Sequence, residues 1–154
     1  MEVWTELCAN KLLMSAVVGW LSAQGIKTVL YSLINKKFSW ERLTGSGGMP
    51  SSHSATVCAM VVATGRYCGV TSTEFALAAV VSIIVMYDAM GVRYETGEQA
   101  KLLNRMFNEW MDQGVNALPF LGGKKLKEMV GHTPIEVLTG AVLGIALGFA
   151  MPMV

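Results

Sequence analysis

Four apolar runs leave this chain few ways to fold in water. Leu12 to Ile34 is apolar apart from small polar residues, Gln24 and Lys27, and Ser54 to Val70, Phe75 to Met90 and Ile135 to Val154 follow it. A membrane-crossing helix needs roughly 20 mostly apolar residues, within a range of about 17–25. The first and last runs meet that length outright, and the middle two reach it with their flanks. Charged residues are only 15% of the chain and apolar ones 53%, with a mean hydropathy of +0.45, too apolar for an ordinary soluble domain. The expected fold is all-α: an integral membrane helical bundle of about four transmembrane helices. At 154 residues the chain fits a single domain over 1–154.

Charge gives the bundle a direction. Lys36, Lys37 and Arg42 lie between the first two runs, and Arg93, Lys101, Arg105, Lys124, Lys125 and Lys127 between the third and fourth. Lys11 and Arg66 fall on the other side. The positive-inside rule then puts the connections over 35–50 and 91–132 in the cytoplasm. Glu2 and Glu6 stand where a secretory signal would carry positive charge, so the first helix is expected to stay in the mature protein. A net charge of +1 provides no basic field for nucleic acid. Cys8, Cys58 and Cys68 are odd in number and lack metal-ligand spacing, and read as small buried apolar side chains.

Val92 to Met111 differs from the spans. Leu102, Leu103, Met106, Phe107, Trp110 and Met111 recur at helical spacing between Lys101, Asn104, Arg105, Asn108 and Glu109. This predicts an amphipathic helix at the interface or continuing the third span, with Gly91 and Gly97 as bend points. Residues 112–131, with Pro119, Gly122, Gly123 and three lysines, read as loop or a short helix. Gly140, Gly144 and Gly148 put a small-residue stripe on the last helix, suited to close packing within the chain ahead of a dimer seam. Four helices make a thin wall around a buried site, which leaves room for a homodimer.

The two histidines of the chain occupy one kind of position. His53 follows Gly47-Gly48-Met49-Pro50-Ser51-Ser52 and opens the second run; His132 follows Gly131 and precedes the fourth. The topology brings both to one membrane face. Paired imidazoles beside helix N-termini suit phosphoryl transfer through a phosphohistidine: one attacks phosphorus, the other protonates the leaving oxygen, and backbone N–H groups hold the anion. Simpler roles fit the same residues. Serine can merely cap a helix, and Thr133 with Glu136 forms a capping box with Pro134 in the first turn. Alternatively, Glu136 accepts a hydrogen bond from His132 and fixes its tautomer. Lys27 within the first run and Asp88 near the end of the third are costly charges in lipid, and Asp88 is expected to pair with Arg93 or Lys27.

Gly-Gly-Met-Pro-Ser-Ser-His-Ser-Ala at 47–55, Tyr-Asp-Ala-Met-Gly-Val-Arg at 87–93, Gly-Glu-Gln-Ala at 97–100 and Gly-His-Thr-Pro-Ile-Glu-Val at 131–137 resemble, in order and spacing, a divergent branch of the type-2 phosphatidic acid phosphatase superfamily, which includes vanadium haloperoxidases. The resemblance implies His132 as nucleophile, Glu136 as its orienting carboxylate, His53 as general acid, and Ser51 and Ser52 as phosphate contacts. Ser52 replaces a glycine of the superfamily pattern, Leu43 follows Arg42 where proline is expected, Lys125-Leu126 stands where Ser-Arg is expected, and Glu136 replaces aspartate. Arg93, with a guanidinium, and Lys27, with an ammonium, are the two residues that could make up for the missing arginine, and Arg42, Arg93 and Lys27 would together stabilise the equatorial oxygens.

The function this implies is a membrane lipid-phosphate phosphatase acting on a phosphomonoester or diphosphate, such as phosphatidic acid, phosphatidylglycerol phosphate or an isoprenyl diphosphate. It would need no cofactor or metal, and would sit in a bacterial cytoplasmic membrane with its site facing the cytoplasm. Two alternatives stand beside it. One is a non-catalytic scaffold or transporter component with an anion-binding cleft. The other, from Asp88-x-x-Gly91-x-Arg93, is a metal-dependent enzyme similar to the CDP-alcohol phosphotransferases, for which Glu95 and Glu98 are poor further ligands.

Overall fold

The structure is a computed structural model and describes residues 2–36, 38, 47–112, 125–128 and 130–152. Among them six helices follow one another: α1 (Glu2–Ala9), α2 (Lys11–Asn35), α3 (Ser52–Tyr67), α4 (Thr73–Met90), α5 (Val92–Asp112) and α6 (Pro134–Ala150). Their starts follow from side-chain oxygens that satisfy free backbone N–H groups. Asn10 accepts from Leu12 and Leu13 before α2, Ser51 from Ser54 before α3, and Ser72 from Phe75 before α4. α2 stops at Lys36, which takes a left-handed conformation with φ of 50°. Gly91 breaks the path between α4 and α5.

α3 is the centre of the bundle, packed by α6, α2 and α4. It can be central because it is built from small residues: Ser52, Ser54, Ala55, Ala59, Ala63 and Thr64 are all buried. Its neighbours answer with glycine. Gly19 of α2 lies against Ala55 and Ala59, while Gly140, Gly144 and Gly148 of α6 lie against Ser51, Ala55 and Ala59–Val62. The glycine stripe is thus spent inside the chain, where it lets the α6 backbone touch the α3 backbone. Gly144→Val should therefore destabilise the protein by about 2–3 kcal/mol, because its Cβ would collide with the Ala55 main chain. Unfolding in detergent would measure this, with the outward Val142→Leu as the neutral control; equal stability of the two variants would contradict this packing.

Large apolar side chains cover the outside. Leu77, Ile83 and Ile84 of α4 and Leu138, Val142 and Phe149 of α6 are all more than 60% exposed, a surface suited to hydrocarbon. Among the described residues, two helical stretches are long and apolar enough to cross a membrane, Lys11–Asn35 and Thr73–Trp110, the latter running through Gly91. α3 and α6, with 16 and 17 residues, fall short of the length expected for two further spans. At about 1.5 Å per residue they are roughly 24–26 Å long against a hydrocarbon core of about 30 Å.

Three sequence expectations change. Cys58 is buried, but Cys8 and Cys68 are exposed, because α1 buries no residue and Cys68 lies in the turn that ends α3. Gly97 is no bend: it lies within α5, where the carbonyl of Glu128 crosses the helix too closely for a side chain. Asn104, one of the polar residues between the apolar ones of the amphipathic α5, is buried, while Leu102, Leu103, Met106 and Trp110 are exposed. The face of α5 covered by protein is small and polar, and its apolar face is open. Of the 112–131 connection, residues 113–124 and 129 lie outside the described residues; 125–128 and 130–131 are non-helical.

Candidate active site

The N-termini of α3 and α6 meet at one end of the bundle. The backbone N–H of Ser51 donates to the carbonyl of Glu136 at 2.9 Å, and Gly140 lets the α6 main chain come up against Ser51. His132 is tied to a third element, since its backbone N–H donates to the carbonyl of Ala89 near the end of α4 at 3.0 Å. These contacts set the imidazoles side by side. The rings of His53 and His132 are 5.6 Å apart between centroids and inclined at 70°, edge to face.

The carboxylate of Glu136 does two things with one oxygen. Oε2 accepts from the backbone N–H of Thr133 at 3.1 Å and lies 3.1 Å from Nδ1 of His132, while the Thr133 hydroxyl accepts from the Glu136 N–H at 3.4 Å. Capping and orienting coexist. With Nδ1 held as the donor toward Glu136, the other ring nitrogen of His132, Nε2, carries the lone pair. That nitrogen is buried and makes no hydrogen bond among the described residues; the same is true of His53 Nδ1 and of the Ser54 hydroxyl. Ser54 was not among the sequence candidates, because nothing in its spacing separates it from an ordinary small helix residue.

Two cations adjoin the imidazoles. Lys27 of α2 is 3% exposed, and its stem lies beside Gly48, whose φ of +84° is a conformation that favours glycine. Arg93 donates from Nε to Asp88 Oδ2 at 2.5 Å, so the partner expected for Asp88 is Arg93. Burial pushes the His132 imidazole below the ordinary histidine value of 6.5; the Glu136 carboxylate opposes this, and Lys27 and Arg93 add to it. The neutral form of His132 is thus favoured. Ser51 and Ser52 are buried at the start of α3. Arg42 lies outside the described residues, and Lys36 is exposed beyond the end of α2.

The helices and the side chains gathered at their N-termini define an all-α membrane protein with a histidine pair recessed at one end. The chain belongs to the divergent PAP2 family, whose model matches residues 8–147. It is similar to the uncharacterized membrane protein YuiD of Bacillus subtilis (strain 168), 39% identical over 148 residues, covering 92% of this chain and 94% of that protein. No solved structure matches the chain.

Proposed function

We propose that the protein is a lipid-phosphate phosphatase that works through a phosphohistidine. The observation that carries this reading is the geometry of His132: Nδ1 fixed on Glu136, Nε2 buried and free of hydrogen bonds to the described residues, and a second imidazole 5.6 Å away between ring centroids. Nε2 of His132 attacks phosphorus and the bond from phosphorus to the ester oxygen breaks. His53 gives its proton to that oxygen, and the alcohol or phosphate leaves. Water then attacks the phosphohistidine, His53 takes the water's proton, the P–N bond breaks and phosphate departs. Lys27, Arg93 and Arg42, with Ser51, Ser52 and the α3 N-terminus, would stabilise the equatorial oxygens. These cations supply charge of the kind Mg²⁺ supplies in other phosphoryl transfers.

An amphiphilic substrate fits the cleft beside Lys27. This cavity of about 470 Å³ is walled by Leu30, Tyr31, Ile34 and Met49, with Lys27, Asn35 and Gly48 as its polar or bare parts. One buried ammonium against a mostly apolar wall suits a phosphate on a greasy anchor. In this reading α3 and α6 also cross the membrane, with α3 inside the bundle and flanking residues completing their length. The positive charge of the connections supports a site that faces the cytoplasm of a bacterial cell.

Phosphate release by the purified protein from a panel of lipid phosphates, with and without EDTA, tests the proposal. Turnover that survives EDTA and is inhibited competitively by vanadate is the expected result. The pairing of Arg93 with Asp88 and the presence of Leu126 where the superfamily has arginine favour one rival, an anion-binding scaffold. Vanadate binding without turnover would establish that rival. Loss of activity on chelation, restored by Mg²⁺, would point to aspartate-held metal.

A further inference from the structure

The buried stripe of α5 runs Gly97, Ala100, Asn104, spaced as one face of a helix. Along it lies the segment that ends in His132. Asn104 grips this segment as a neighbouring strand would: its Nδ2 donates to the Leu126 carbonyl at 2.9 Å, and its Oδ1 accepts from the Leu126 N–H at 3.0 Å. Nδ2 also donates to Glu128 Oε1 at 2.8 Å. Three residues toward the start of α5 from Ala100, a Cβ on Gly97 would come within 2.5 Å of the Glu128 carbonyl oxygen. Farther along, Gly131 lies so close to the Tyr94 main chain that no side chain fits there. His132 then bonds to Ala89.

Contacts at Leu126, Glu128 and Gly131 fix this short connection against α5, and the last of them adjoins His132. A buried carboxamide is also costly unless its donors and acceptor are used, and here both its nitrogen and its oxygen are used on this one segment.

We infer that Asn104, with the bare surface of Gly97, is a positioning residue that holds the 126–131 segment along α5 and so sets His132 between Ala89, Glu136 and His53. Its effect on turnover rests on the phosphatase reading; its effect on the imidazole does not. Around His132 stand Glu136 of its own helix start, His53 of α3, Lys27 of α2 and Arg93 of α5, the last paired with Asp88 of α4, and none of them changes in the Asn104 and Gly97 variants below.

The test uses the whole protein in micelles, with ¹⁵N-histidine NMR titration and steady-state kinetics on a lipid phosphate. With two histidines in the chain, His53→Gln assigns the spectrum. In Asn104→Leu and in Gly97→Ala, kcat should fall roughly ten- to a hundredfold with KM within about twofold, because misplacement of a reacting group by about 1 Å costs that much. The His132 midpoint should rise toward 6.5 in both as water reaches the ring. Leu102→Ala, exposed on the face of α5 opposite Gly97 and Asn104, should change neither reading. An unmoved His132 titration in whichever of the two variants folds overturns the inference, whatever the turnover. A wild type that binds lipid phosphate without hydrolysing it fails the phosphatase reading instead, and the titration then decides the positioning role alone.

Discussion

Replacing His132 with alanine should lower phosphate release by at least about a thousandfold while the protein still folds in detergent, since covalent catalysis leaves no comparable bypass. The reason is now geometric. His132 is 1% exposed, its Nδ1 is occupied by Glu136 and its Nε2 makes no bond to the described residues, so its lone pair is reserved for something that enters. Retention of more than about a tenth of wild-type turnover would remove it as the nucleophile. The same burial gives the wild type a pH signature. Because burial holds the His132 pKa under 6.5, the acid limb of kcat/KM should have its midpoint below that value. The sign is fixed: protonation occupies Nε2, so activity falls as pH drops through the pKa. An acid limb centred above 6.5 would mean that another group governs it.

Lys27→Met should cost turnover about a hundred- to a thousandfold, the scale seen when a group aimed at transition-state charge is removed. Methionine keeps an unbranched stem to fill the place beside Gly48, so packing is nearly conserved and the loss reports the ammonium. Lys27 is also the only cation among the described residues that is both buried and named by the cleft wall. The change should fall on kcat more than on KM, since charge accumulates on the equatorial oxygens as the ester bond stretches. Normal kcat in a folded Lys27→Met protein would reassign the phosphate contacts to Arg93 and the 39–46 connection.

Much of this architecture is legible from sequence because lipid and helix geometry are strict. The apolar runs locate α2, α4 and α6 closely, and the capping residues Ser51 and Thr133 mark where helices begin. Chain topology then brings His53 and His132 together without any knowledge of packing. What sequence hides is which face of a helix meets protein. The periodicity of α5 puts Leu102, Met106 and Trp110 on one face, but in a membrane protein an apolar face can be the outward one. Asn104 accordingly reads as surface, and its long-range bonds to Leu126 and Glu128 have no local signature. The choice between capping and orienting for Glu136 was undecidable for another reason. Both roles need the same spacing, and one oxygen fills both.

The glycine and alanine seams around α3 have a consequence for tolerance to surroundings. Where Gly19, Gly144 and Ala55 meet, main chain rests on main chain, so the separation of the two imidazoles is inherited from backbone spacing. The outward leucines, isoleucines and valines of α4 and α6 take no part in setting that distance. Bilayers of unequal thickness or fluidity can therefore be accommodated by exchanging the outer side chains alone, with the paired rings left in register.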